Sequence, residues 1–246
     1  MRLSYSSAVG FARAIDAVGN LVDEGQFKAK KEGLSLVAMD PSQISMVIFS
    51  MPKGIFSEYQ SENEVLGLDI DYFKKVLRRG KTDEKITLET EENRLILTFE
   101  GGKRKRTFKI PLLDLTEGVS KEPSIEYNNR IKLVADALNE LINDAKLIST
   151  HIRLVLTPDG LRAEVKSESG ELNVDIEKDD EAVAEISVEN GARASFPLQY
   201  LEDIMKAAKG TEPVTLYLET DRPLKLEYNI EGALAKYYLA PRIETE

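Results

Sequence analysis

The chain has 246 residues and a formal charge of −10, with 42% hydrophobic and 31% charged residues, a balance that excludes an intrinsically disordered chain. No apolar run approaches the roughly 18 residues of a membrane helix, and the N-terminus MRLSYSSAVGF lacks the continuous apolar core of a signal peptide. Cysteine is absent, which excludes disulfides and thiolate metal sites, so an intracellular protein that folds by core burial alone is expected.

A first helix is expected within SSAVGFARAIDAVGNLV (6–22), whose apolar stripe of Ala8, Phe11, Ala12, Ile15, Val18 and Val22 follows helical spacing. Arg13 lies opposite that stripe, beside Asp16 and Asn20. A strand–turn–strand stretch surrounds Gly33 and Leu34. The second helix reads from DIDYFKKVLRRG (69–80), with Asp69 or Asp71 near its N-cap and Gly80 near its end. At 100° per residue, Phe73, Val76 and Leu77 share one side. Lys75, Arg78 and Arg79 lie opposite, and Lys74 and Lys81 flank them. Five basic residues thus fall between positions 74 and 81, with no acid between Tyr72 and Thr82. Two readings stand at this point, a solvated helix face and a surface for a polyanion; solvated faces usually mix signs, and this one does not. With no stacking aromatics and no recognition-helix signature beside it, the expected contact is with phosphates, without sequence readout.

Alternating strands KITLETE (85–91) and RLILTFE (94–100) follow, then the basic strand KRKRTFK (103–109). The polar stretch TEGVSKEPSIE (116–126), with Gly118 and Pro123, reads as a linker between domains at 1–115 and 127–246. A third helix is expected over NRIKLVADALNELINDAKLI (129–148), with Asp136, Glu140 and Asn143 outward. Strands HIRLVLT (151–157) and ELNVDIE (171–177) come next, the latter opening an acidic stretch to Glu185. The fourth helix, PLQYLEDIMKAAKG (197–210), turns Lys206 outward beside Asp203, with Lys209 on its flank. The strand VTLYLET (214–220) follows it.

The two halves repeat. Aligning Tyr72 with Tyr200 sets Phe73 on Leu201, Val76 on Ile204, Arg78 on Lys206 and Lys81 on Lys209, an offset of 128. Gly33-Leu34 and Gly160-Leu161 agree at an offset of 127. Two copies of one unit, each antiparallel sheet plus two helices, give an α+β fold. Catalytic chemistry is not legible. His151, the only histidine, opens a strand, where such a residue is more often structural. No phosphate loop, HExxH or GxSxG occurs. A non-enzymatic protein without cofactor or metal is expected.

LVAMDPSQISMV (36–47), LGLDIDYFKKVL (66–77), FPLQYLEDIMKAA (196–208) and the C-terminal YYLAPRIE (237–244), in this order and spacing, resemble the sliding clamps of archaea and eukaryotes, the proliferating cell nuclear antigen family. The resemblance runs from Leu3 to Glu244. It implies the DNA-clamp fold and a ring of three subunits, most simply a homotrimer, around duplex DNA. Arg13, Lys74, Lys75, Arg78, Arg79, Lys81, Lys206 and Lys209 would face the duplex. The subunit contact would join the basic strand through Arg104, Arg106 and Lys109 to the acidic one through Asp175 and Glu177. Partner peptides would dock on Met39, Gln43, Ile44, Met46, Val119, Pro123, Pro223, Tyr238, Leu239, Ala240 and Pro241. The implied partners are a replicative DNA polymerase, a clamp loader, flap endonuclease and DNA ligase. The alternative is a clamp-fold adaptor of checkpoint type that regulates partners without encircling DNA.

Overall fold

The computed structural model describes residues 1–116, 118 and 121–242. Contacts divide the chain into two units. The first holds Met1–Pro41, Val47–Glu122 and Ile230–Ala235; the second holds Ser42–Met46, Pro123–Asn229 and Lys236–Glu246. Among the described residues no helix is long and apolar enough to cross a membrane.

In chain order the first unit begins with β1 (Arg2–Tyr5), α1 (Ala8–Gly19), β2 (Glu24–Lys30), β3 (Gly33–Met39), β4 (Ser45–Pro52) and β5 (Glu58–Gln60). It continues with β6 (Asn63–Asp69), α2 (Ile70–Leu77), β7 (Lys85–Glu91), β8 (Arg94–Gly101) and β9 (Arg104–Pro111). One sheet runs β5-β1-β7-β8-β9, and a second run of strands is β6-β2-β3-β4. Ser7 starts α1 by accepting from the Gly10 amide at 2.9 Å. Asp69, not Asp71, caps α2, accepting from the Tyr72 amide at 2.8 Å, which satisfies one of the orphan amides of the first turn. The helices pack through Phe11 and Phe73, with ring centroids 6.5 Å apart. Phe73 also meets Phe27 at 6.3 Å. These rings are all but fully buried, and removing one from such a core costs about 3–5 kcal/mol.

The second unit repeats the order with β10 (Arg130–Val134), α3 (Ala135–Ile148), β11 (His151–Thr157), β12 (Gly160–Ser167), β13 (Gly170–Glu177) and β14 (Val183–Ser187). Then come β15 (Ala192–Pro197), α4 (Leu198–Met205), β16 (Pro213–Tyr217), β17 (Leu224–Ile230) and β18 (Ala233–Leu239). Its strands run β14-β10-β16-β17-β18 and β13-β12-β11-β15, element for element the order of the first unit. The third helix starts at Ala135, whereas the sequence placed its start at 129. Arg130–Val134 instead pairs with β14 and β16, because a segment flanked by two strands gains more from ladder hydrogen bonds than from extending a helix.

The repeated glycines have one cause. Gly33 has φ 151° and Gly160 φ 148°. A Cβ on Gly33 would lie 2.1 Å from the Met51 carbonyl oxygen, and one on Gly160 would lie 2.1 Å from that of Ile176. Only glycine accommodates both the backbone angle and the close approach.

In the second unit Tyr228 and Tyr237 stack at 5.5 Å, their hydroxyls 2.7 Å apart. The Tyr228 hydroxyl also lies 2.8 Å from the Ile204 carbonyl, tying α4 to the sheet. Burial raises both phenols above the usual value of 10.0. The folded state therefore holds these protons more tightly than the unfolded chain. The stabilisation is complete below pH 10 and is lost as pH rises beyond it. Tyr228→Phe is expected to cost about 1–3 kcal/mol at neutral pH, since it leaves buried groups unpaired, and to flatten the alkaline decline. Urea unfolding between neutral pH and pH 11 measures both.

Candidate nucleic-acid interface

The basic stretch begins inside the fold. Lys74 is only 8% exposed. Its ammonium donates to the carbonyl of Gly19, the last residue of α1, and to Asn20 Oδ1 at 3.1 Å, with Asp16 at 3.8 Å. It thus neutralises the negative end of α1, where its carbonyls lack intrahelical partners. Gly19 makes this possible: a Cβ there would sit 2.2 Å from Lys74 Cδ. Lys74, expected among the DNA-facing cations, is therefore a bolt between the helices, because α1 covers the side of α2 from which it emerges.

Four cations of the stretch remain at the surface: Lys75, Arg78, Arg79 and Lys81. Arg78 approaches Asp16 of α1 at 3.3 Å yet stays 61% exposed. Lys75, Arg79 and Lys81 form no ion pair among the described residues. Arg13 departs from expectation, since it is half-buried and bonds Glu231 at 2.5 Å. In the second unit Lys206 is paired with Asp203 at 2.5 Å. Lys209 is exposed at the end of the turn after α4. Asp136, Glu140, Asn143, Asp144, Lys146 and Leu147 are the exposed residues of α3, and Lys146 is paired with Glu202 at 2.5 Å. The positive face therefore belongs to α2, and its counterpart α4 carries little of it.

Among the described residues β9 pairs only with β8, and β13 only with β12, so each leaves an edge free within its unit. Apolar side chains on both are incompletely covered: Phe108 on β9, and Leu172 and Val174 on β13, are half-buried. Arg104 and Glu177 point outward with no ion pair among the described residues. Three other residues expected at the subunit contact have partners within the chain. Lys109 lies 2.5 Å from Glu91 and Asp175 2.6 Å from Arg162. Arg106 bonds the buried Glu84 at 2.5 Å and the Arg79 carbonyl at 2.8 Å. Its guanidinium also sits over the Phe99 ring, so it clasps β9 to the end of α2.

Of the residues expected to receive a peptide, Val119 lies outside the described residues. Met39 is half-buried on β3 of the first unit. In the second unit the Ala240 amide donates to the Ile44 carbonyl at 2.9 Å, which brings the two C-terminal and loop segments together. Gln43 is exposed, with φ 58°. Ile44, Pro123, Pro223, Ala240 and Pro241 are half-buried. Met46, Tyr238 and Leu239 are buried, Leu239 to 1% exposure. Pro223 also accepts from the Tyr127 hydroxyl at 2.8 Å, an anchor for the start of the second unit that no local pattern in the sequence signals.

Family models for the N-terminal and C-terminal domains of proliferating cell nuclear antigen match residues 1–117 and 121–243. A DNA polymerase sliding clamp of Methanococcus maripaludis is 36% identical over 241 residues, covering 96% of each chain. A crystal structure of the antigen from Thermococcus kodakaraensis aligns with TM-score 0.93 at 26% identity, covering 98% of this chain and 99% of the other. A structure of the C-terminal region of FEN-1 bound to the A. fulgidus antigen aligns with TM-score 0.88 at 25% identity, covering 100% and 99%.

The burial of Lys74 separates a structural cation from surface ones. Lys74→Met is expected to lose about 1–3 kcal/mol of stability, since the Gly19 carbonyl and Asn20 lose their donor. Lys75→Ala is expected to stay within about 0.5 kcal/mol of the parent chain. Chemical denaturation at one protein concentration distinguishes the two.

Proposed function

The chain belongs to the proliferating cell nuclear antigen family and is a DNA sliding clamp; we propose that three copies close head to tail around duplex DNA. The observation that carries this reading is the end of α2 and the turn after it, where Lys75, Arg78, Arg79 and Lys81 stay exposed on a chain of net charge −10. Three copies carry −30, three times the charge of one chain. The Debye length is about 8 Å at physiological salt, so acidic groups farther away are largely screened from a local positive helix. Contacts with phosphates are then weak and salt-dependent. Weak contact suits sliding, because enclosure, not affinity, keeps the ring on the duplex.

A closed head-to-tail ring needs two different surfaces per subunit. The unpaired edges of β9 and β13 supply them, one from a basic segment and one from an acidic segment, and backbone pairing between copies extends both sheets. This reading includes domains at 1–115 and 127–246 with a linker at 116–126, supported by the separate spans that the two family models match. The clamp tethers its partners and catalyses no reaction itself. Short peptides of the polymerase, flap endonuclease, DNA ligase and clamp loader dock on the surface formed by Gln43, Ile44, Ala240 and Pro241. The FEN-1 segment bound to the A. fulgidus antigen supports the endonuclease as one such partner. The site of action is the interior of the cell, at the chromosome.

Clamp loader and ATP are expected to leave the chain trapped on circular duplex and to let it escape from linear duplex. Equal retention on both forms would refute enclosure; gel filtration of the loaded complex reads the difference. Ile44→Arg is expected to reduce binding of a FEN-1 C-terminal peptide by at least tenfold while the sedimenting mass is unchanged. Leu239→Arg cannot serve as the same test, because a charge at that buried position costs the fold itself. Calorimetric titration of the Ile44→Arg protein with the peptide gives the answer, and unchanged affinity would displace the site.

A further inference from the structure

The sheet β13-β12-β11-β15 of the second unit carries a polar face. Alternation along each strand decides which side chains share it. Ile152, Leu154, Ala163, Val165 and Ala194 are buried on the other side. His151, Arg153, Glu164, Lys166, Glu171 and Ser195 therefore stand together, as the pairing of Arg153 with both Glu164 and Ser195, and of Lys166 with Glu171, requires. They line a cavity of about 380 Å³, which Arg242 also lines. The segment that brings Arg242 there is fixed at two points. The Ala240 amide donates to the Ile44 carbonyl at 2.9 Å, and the Arg242 amide donates to the Ser195 carbonyl at 2.8 Å. The cavity thus adjoins, along the chain, Ala240 and Pro241 of the proposed peptide surface.

The charges of this cavity do not balance. Arg153 faces Glu164 at 4.0 Å, and Lys166 holds Glu171 at 2.6 Å. The guanidinium of Arg242 is exposed and has no ion pair among the described residues. His151 places Nδ1 2.9 Å from the Thr150 hydroxyl, and its Nε2 has no hydrogen-bond partner among the described residues. The charged groups around the imidazole are Arg153 from β11, Glu164 and Lys166 from β12, Glu171 from β13 and Arg242; β15 contributes Ser195 and the end of α3 contributes Ser149. Burial, and then Arg242, lower the pKa of His151 from its ordinary 6.5. The positive charge of Arg242 is left uncompensated beside a neutral ring that gains a proton when an anion arrives.

We propose that Arg242 and His151 form a subsite for one carboxylate of a docked partner peptide, an acidic residue that flanks the segment seated on Gln43, Ile44, Ala240 and Pro241. This rests on the peptide surface proposed above. A guanidinium and an imidazolium both donate to a carboxylate, and such charge-assisted bonds are the stronger kind. Glu164 and Glu171 favour a single carboxylate over the duplex, because they repel a run of phosphates while Arg242 satisfies one negative group.

Calorimetric titration of the full chain tests the subsite with a FEN-1 C-terminal peptide carrying two glutamates beside its docking segment, on either side in turn, and with the same peptides carrying glutamines. One glutamate peptide is expected to bind about threefold or more tighter than its glutamine counterpart. Arg242→Ala is expected to erase that preference and to leave the glutamine peptide unchanged. The preference is expected to grow between about pH 7.5 and about pH 6, where glutamate stays ionised and the imidazole takes up a proton, and His151→Gln is expected to remove this growth. Equal binding of glutamate and glutamine peptides, or a preference that survives Arg242→Ala, would overturn the subsite and leave the peptide surface standing. A preference that ignores pH would remove His151 from it. Shorter retention of Arg242→Ala on circular DNA, with the peptide preference intact, would make this corner a phosphate contact and overturn the subsite as well. Failure of every peptide to bind the parent chain would overturn both readings.

Discussion

The ammonium of Lys74, seated on the last carbonyl of α1, sets the register on which the working surface of the first unit depends. It spans the side of α2 that meets α1, while Phe73 fills the space beneath. With these two groups in place, the turn that follows presents Lys75 and Arg78 outward, and Arg79 and Lys81 emerge beside β9. A cation spent on structure thus aims four others. Gly19 is the condition for it, since any side chain there would occupy the path of the lysine stem.

Charge in this molecule is organised by distance. The acidic excess is spread over both units, and much of it is locally matched, as in Arg2 with Glu58 and Glu89 or Lys166 with Glu171. Exposed pairs of this kind contribute little to stability individually, but they keep the surface neutral over short range. The end of α2 departs from that pattern, since Lys75, Arg79 and Lys81 have no ion pair among the described residues. Close by, β9 leaves one strand edge free within its unit. An open strand edge is a hazard for a monomer. In the proposed ring it is what joins the copies in one orientation.

The two units share one order of elements but not one chemistry. Their glycine turns, helix pairs and sheet orders coincide because the backbone solution is the same. The outward residues of α2 and α4 differ because nothing in the core constrains them. Lys206 is held by Asp203 within a single turn, whereas its counterpart Arg78 reaches across to Asp16 of α1 and stays 61% exposed. Duplication preserved the scaffold and left each helix face free to specialise.

The sequence by itself determined the repeat, most strands and helices, the α+β class and the family, since these rest on periodicities and spacings that a chain carries locally. It also located the basic helix and the opposed charges of β9 and β13. It misjudged the start of α3, because the pairing of Arg130–Val134 is decided by strands far along the chain. Only the tertiary structure decided that Lys74 turns inward, that Arg13 is held by Glu231, that Arg106 serves Glu84, and that Leu239 is buried. Helical angle places a side chain on a face to within a few tens of degrees. Whether that face meets water or a neighbour depends on residues 20 to more than 200 positions away, and no local pattern records them.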